Sequence, residues 1–211
     1  MKKNLTELVF IIDGSGSMQG VTDDTIGGFN SMLEKQKGEE GEALVSTVIF
    51  NHDFKVVHDR VDLSQVENMT KKDYVPCGST ALVDAIGRSV KHISNVHKYI
   101  RQEDIPEKTI FVITTDGMEN ASREYSGDDV KKMIRAKEEL GWEFLFLGAN
   151  IDSVETARSL GIREERAANY MGGCAGEKRK FSVMSDVVFK LRRNEEPEAD
   201  WAAPLMDAEE K

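Results

Sequence analysis

A chain of 211 residues, 39% of them hydrophobic, suits one domain large enough to bury roughly 70% of the surface its unfolded form exposes. The formal charge of -10 repels a phosphate backbone, and no basic reader motif offsets that field, so general nucleic-acid binding is excluded. Cys77 and Cys174 lack CxxC spacing or a nearby histidine pair, which excludes a zinc site or disulfide framework and fits a reducing, cytoplasmic setting.

The first apolar run, Leu8-Val9-Phe10-Ile11-Ile12, is too short for a signal-peptide core or for membrane insertion. It predicts a strand buried on both faces that ends at the flexible loop Asp13-Gly14-Ser15-Gly16-Ser17-Met18. Ile26, Phe29, Met32 and Leu33 recur at helical spacing and predict a helix over 21–39. Gly27 and Gly28 each weaken its interior by about 1 kcal/mol, and close packing on the sheet is expected to explain them. Residues 43–50 face Phe54-Lys55-Val56-Val57 across Asn51-His52-Asp53, a predicted hairpin and hence an antiparallel edge strand. Residues 62–73 read as a connection holding one helical turn. Pro76-Cys77-Gly78-Ser79-Thr80 then leads into a helix striped by Leu82, Ala85, Ile86, Val90 and Ile93 that frays before Pro106.

A second buried strand over 109–115 ends at Asp116-Gly117. Ser126 offers an N-cap for a helix reaching Leu140 and stopped by Gly141, followed by a strand over 142–147. Asp152 or Ser153 caps a helix reaching Leu160, and residues 167–170 make a short last strand. Residues 171–176 read as a loop, after which Phe181, Met184, Val187, Val188 and Leu191 mark a final helix through Arg193. Strand alternating with helix predicts an α/β fold, three-layer and doubly wound (Rossmann-like), with a mostly parallel sheet, one antiparallel edge strand and right-handed crossovers. The domain is expected over 1–194. Residues 195–211, mostly acidic with Pro197 and Pro204, read as a tail in which Trp201, Leu205 and Met206 are able to dock.

In such sheets ligands bind outside the carboxyl ends of the strands, where strand order reverses. Asp13, Ser15, Ser17, Thr80 and Asp116 are expected to meet there as one metal site. A hard cation such as Mg²⁺ takes six oxygens at about 2.0 to 2.1 Å and keeps waters where the protein leaves corners open. Ser15 and Ser17, two apart on an extended loop segment, direct both hydroxyls to the same side. If the direct ligands are mainly neutral hydroxyls, the ion stays electron-poor and attracts a carboxylate from outside, which is binding chemistry rather than catalysis.

Three separated motifs carry a resemblance. Asp13-Gly14-Ser15-Gly16-Ser17, Gly78-Ser79-Thr80-Ala81-Leu82-Val83-Asp84-Ala85 and Thr115-Asp116-Gly117 together resemble the metal-ion-dependent adhesion site of von Willebrand factor type A domains. The likeness runs over about residues 5–193. It implies that Ser15, Ser17 and Thr80 bind the ion directly and that Asp13 and Asp116 do so directly or through water. It also implies a non-enzymatic module holding Mg²⁺, with Mn²⁺ or Ca²⁺ as alternatives, whose partner protein completes the sphere with an Asp or Glu. Bacterial and phage relatives commonly carry a larger residue where Gly14 stands, so this glycine is expected to loosen the loop.

Other readings compete at each position. Asp13, Ser15 and Ser17 also suit a capped turn before a helix, and Ser79 is an alternative hydroxyl donor to Thr80. Glu119 and Asn120 either orient waters or are simply solvated. His52, His58, His92 and His97 read as surface or edge histidines, and Cys77 as a small buried residue. Lys178, Arg179, Lys180, Lys190, Arg192 and Arg193 read as a solvated helix face partly neutralised by the acidic tail. The rival function is a Mg²⁺-dependent phosphohydrolase using Asp13 as nucleophile, although Ser15 stands where a dehalogenase-type loop has its acid. A dinucleotide site fits less well, because 14–20 is one residue too long for GxGxxG.

Overall fold

The computed structural model describes residues 1–206; 207–211, the end of the expected tail, lie outside the described residues. Six strands form one sheet in the order β3-β2-β1-β4-β5-β6. These are β1 (Lys2–Asp13), β2 (Glu42–Phe50), β3 (Phe54–Asp62), β4 (Pro106–Thr115), β5 (Glu143–Gly148) and β6 (Ala167–Asn169). All neighbouring pairs are parallel except β2 with β3, so the predicted hairpin forms the antiparallel edge. Crossovers are made by α1 (Thr22–Lys37), α2 (Leu82–Tyr99), α3 (Gly127–Glu138) and α4 (Ser153–Ser159), and α5 (Cys174–Arg192) follows the last strand.

Strand β1 lies at the centre and is covered on both faces, which is why it reads as an unbroken apolar run. Leu8, Phe10 and Ile12 join the core under α1 and α5, whereas Val9 and Ile11 join the core under α2, α3 and α4. The caps are as the sequence indicates. Ser126 and Asp129 form a reciprocal capping box on α3, and Asp152 accepts from Glu155 N at 2.9 Å at the start of α4.

Three local expectations are corrected. Gly28 packs on α5 rather than on the sheet, since a Cβ there would stand 2.4 Å from Phe181 Cδ2, while Gly27 has nothing within 4 Å. Helix α5 begins at Cys174, inside the stretch expected to be a loop. The small residues mark a close approach instead, because a Cβ on Gly176 would lie 1.5 Å from the Met171 carbonyl oxygen. The longer helix carries Glu177 and Lys180 onto the same face as Phe181, Met184 and Leu191, so Lys180 is fully buried and not on a solvated face.

Residues 195–206 lie along the domain. Leu205 is buried, its carbonyl accepts from Met171 N, and Trp201 Nε1 donates to the Glu165 carbonyl at 3.0 Å. Glu196 meets the buried Arg166 at 2.6 Å, and Glu198 pairs with Lys190 on α5.

Candidate metal centre

Strand order reverses between β1 and β4, whose register sets Ile12 beside Thr114. The carboxyl ends of these two strands therefore deliver Asp13 and Asp116 to the crevice where ligands bind in doubly wound sheets. The long link from β3 returns to the same edge, bringing Thr80 to the start of α2.

The five expected residues converge. Ser15 Oγ and Ser17 Oγ are 3.0 Å apart, and Ser17 Oγ donates to Asp116 Oδ1 at 2.5 Å. A Cβ placed on Gly117 would lie 3.5 Å from Thr80 Oγ1 and 3.9 Å from Ser17 Oγ, so these hydroxyls flank one point from two different loops. Asp13 sits at the floor, where Oδ1 accepts from Ser15 N at 2.7 Å and Oδ2 from Thr115 Oγ1 at 2.6 Å. Burial is graded from Asp13, Ser15 and Thr80, all buried, through the half-buried Asp116 to the exposed Ser17, which leaves the mouth open on the solvent side. Asp13 does form the expected turn with Ser15 N. Ser15 and Ser17, however, cap nothing: the 3₁₀ turn Gly16–Val21 has no side-chain cap bond, and the Ser15 hydroxyl meets that of Ser17, which in turn donates to Asp116.

Residues outside the expected set hold this constellation. Gly14 is pinned rather than loose: its N–H donates to the Phe50 carbonyl at 2.7 Å, and its own carbonyl accepts from Cys77 N at 2.9 Å. Ile49 fills the space a side chain would need, with Cγ2 only 2.6 Å from a Cβ built on Gly14. Tyr74 is buried, and its hydroxyl donates to the Asp13 carbonyl at 2.6 Å; burial pushes its pKa far up and keeps it a neutral donor. Asn120 Oδ1 accepts from Thr80 N at 2.9 Å. Glu119 spends both oxygens on Val83 N, Ala121 N, Ser122 N and Ser122 Oγ, tying the 117–122 loop to the positive end of α2. Both are positioning residues here, and neither is simply solvated. Asp84 does the same one step further out by accepting from Arg123, Glu124 and Tyr125 N–H groups.

Beneath the crevice lies a buried polar cluster that the sequence reading missed. Lys180 Nζ donates to Glu177 Oε2 at 2.6 Å, while Thr25 Oγ1 and Tyr170 OH donate to the two Glu177 oxygens at 3.1 and 3.0 Å. The signal was present in the register: positions 177, 180, 181, 184, 188 and 191 share one helical face.

The donor set fits a hard divalent cation. Adjacent corners of an octahedron with 2.0 to 2.1 Å bonds are about 2.9 Å apart, close to the Ser15–Ser17 separation of 3.0 Å. Electrostatics point the same way. Burial raises the Asp116 pKa and the nearby Asp13 charge adds to the rise, against the Ser17 hydrogen bond. The Lys180 charge offsets this rise only weakly, being paired with Glu177, and among the described residues neither Asp13 nor Asp116 is in an ion pair, so a cation supplied from outside would relieve both. No cluster of three or more His, Cys, Asp or Glu suited to a metal occurs among the described residues, as expected where hydroxyls make up most of the donors.

Solved structures share the architecture. The mussel byssus proximal thread matrix protein 1 aligns over 89% of this chain with a TM-score of 0.57 and 13% identity. The manganese-loaded Plasmodium vivax TRAP protein aligns over 84% of this chain and 72% of its own, with a TM-score of 0.60 and 16% identity. A von Willebrand factor type A protein from Catenulispora acidiphila aligns over 85% of this chain at a TM-score of 0.54 and 15% identity. This chain has the von Willebrand factor type A fold. It spans less than half the length of the mussel protein, 45%, and of the Catenulispora protein, 42%. The mussel protein has also been solved with a zinc-occupied MIDAS motif, so both zinc and manganese occur in neighbours of this fold. No family model matches the sequence, and no curated protein matches it.

Proposed function

We propose that this type A domain is a non-enzymatic, metal-dependent protein-binding module. Ser15, Ser17 and Thr80 bind Mg²⁺ through their hydroxyls, Asp116 and Asp13 supply the negative charge, and an Asp or Glu of a partner protein takes the corner facing solvent. The observation that carries the reading is the row of oxygens from Ser15 through Ser17 to Asp116, spaced at 3.0 and 2.5 Å and drawn from the ends of both central strands. Mostly neutral donors leave the ion short of negative charge, which an incoming carboxylate supplies. Mg²⁺ is preferred to Ca²⁺ because the set is small and rigidly held, whereas Ca²⁺ favours six to eight oxygens in a flexible shell.

The phosphohydrolase reading has less support. A nucleophilic carboxylate needs a free oxygen aimed at its substrate, whereas Asp13 is fully buried and both its oxygens are hydrogen-bonded to the loop and to β4. Cys77, expected to be a small buried residue, is exposed, as is Cys174, and both are free thiols, which suits a reducing compartment such as the cytoplasm. Among the described residues no helix is long and apolar enough to cross a membrane.

The test combines calorimetry with a pull-down. Mg²⁺ is expected to bind the wild-type chain and to fail with Asp116→Ala. A protein captured from native extract in Mg²⁺ should be released by chelator and absent with the variant. Equal retention under all three conditions defeats the reading, as does phosphatase activity that requires Asp13.

A further inference from the structure

We propose that the partner's carboxylate lies in an otherwise uncharged apolar stretch, an Asp or Glu flanked by large aliphatic or aromatic residues; this rests on the metal-binding reading above. The chain is 31% charged, yet the loops around the site are almost free of charge. Residues 14–21, 74–83, 148–151 and 169–176 contain none, and Glu119 is the single charged residue in 117–122. Its carboxylate is turned inward and spent on backbone N–H groups. Charge borders these loops at exposed Asp53, Arg123 and Lys178, and at Asp24, which lies against Cys174 and pairs with Lys178.

Besides neutral polar groups such as Gln19, Asn120 and Asn150, these loops expose large apolar side chains. Met118, two residues beyond Asp116, is 74% exposed and Val75 is 61% exposed. Met171 is 39% exposed and sits next to Gly172, whose neighbour Asn150 reaches the Asp116 carbonyl through Nδ2 at 3.4 Å. Val75 belongs to the same face, because Pro76 accepts from Gln19 and Cys77 donates to Gly14. Thioether side chains are flexible and polarizable, so they mould around varied aliphatic and aromatic neighbours.

The surrounding chemistry selects against charged flanks. A basic or acidic side chain next to the bound carboxylate would lose water against this neutral rim without gaining a counter-charge. Additional acids would also meet the repulsion of a body carrying -10, whereas basic flanks would feel that field only at screened long range, because the loops themselves offer no free carboxylate to pair with. A single carboxylate on the ion, with apolar side chains on the methionines, meets neither cost.

The experiment is selection of a displayed random dodecamer peptide library on the immobilised full chain in Mg²⁺, with elution by chelator. Eluted peptides are expected to carry one Asp or Glu with Leu, Ile, Met or Phe within two positions, and few other charges. A synthetic copy of the winner should bind about tenfold more tightly than one whose flanks are replaced by Lys or by Glu. Met118→Glu should weaken it by a similar factor while calorimetry shows unchanged Mg²⁺ affinity; Met171→Glu repeats the test at a second position. Chelator-eluted peptides with charged or unbiased flanks overturn the inference and leave the metal-binding reading standing. Peptides indifferent to chelator, with no Mg²⁺ seen by calorimetry, overturn both.

Discussion

Strand β1 buries two carboxylates, Glu7 and Asp13, each with no exposed surface, and treats them in opposite ways. Glu7 is compensated from within: Arg60 Nε on β3 and His97 Nε2 on α2 each stand 2.6 Å from one of its oxygens. His97 also packs edge-on against Trp142, so it is a part of the core's polar lining and not a surface histidine. Among the described residues the Asp13 carboxylate receives only a backbone N–H and a threonine hydroxyl, with half-buried Asp116 nearby rather than a cation. A buried charge that the chain has already paired serves the fold, whereas one left to neutral donors awaits a partner from outside. The Glu177–Lys180 pair under the site belongs with Glu7: it is sealed from water and closed within the chain.

The contrast can be broken most forcefully at Lys180. Lys180→Met leaves Glu177 buried with two hydroxyls for company and should cost about 3 to 5 kcal/mol in urea unfolding, with Glu177→Gln/Lys180→Met recovering much of it. A single substitution costing under 1 kcal/mol would mean that water reaches the pair. Next in size is the response to Mg²⁺. At a hundred times its dissociation constant the ion should add about 2.7 kcal/mol to wild type. Asp116→Asn should show no gain and no loss without metal, whereas Glu7→Gln should be weakened yet still gain the full increment. Identical Mg²⁺ responses in both variants would erase the distinction between the internally paired Glu7 and the acids of the candidate site.

The smallest effect concerns Asp84, where burial opposes ionisation but backbone N–H groups of Arg123, Tyr125 and Glu124 hold the pKa below the usual carboxylate range. Because the folded pKa lies under the unfolded one, the stabilisation is complete above about pH 4 and disappears as pH falls further. Asp84→Asn should therefore cost about 1 to 2 kcal/mol at pH 7 and progressively less in acid. A loss independent of pH would show that the N–H groups are satisfied without the charge.

The ends of β1 and β4 were legible in the sequence because a strand buried on both faces is a continuous apolar run, and its emergence into glycine and polar residues is abrupt. The residues of the candidate site were legible too, since they lie at those boundaries and at a helix start, where the identity of each residue is itself the signal. Lys180 was misread because a cluster of basic residues is normally solvated, and the polar cluster it joins is completed by Thr25, 152 positions from Glu177. Gly14 and Gly28 were misjudged for a related reason: the groups that exclude a side chain there, Ile49 and Phe181, come from other elements.

By itself the amino-acid order determined which segments become strands and helices and which acids stand at the sheet's edge, because periodicity, caps and glycine turns act over a few residues. Only the tertiary structure decided which buried charges are neutralised internally, where α5 begins, and which face around the site is left without charge. Those outcomes depend on groups meeting across the sheet and between helices, and contact between distant parts of a chain leaves no local trace.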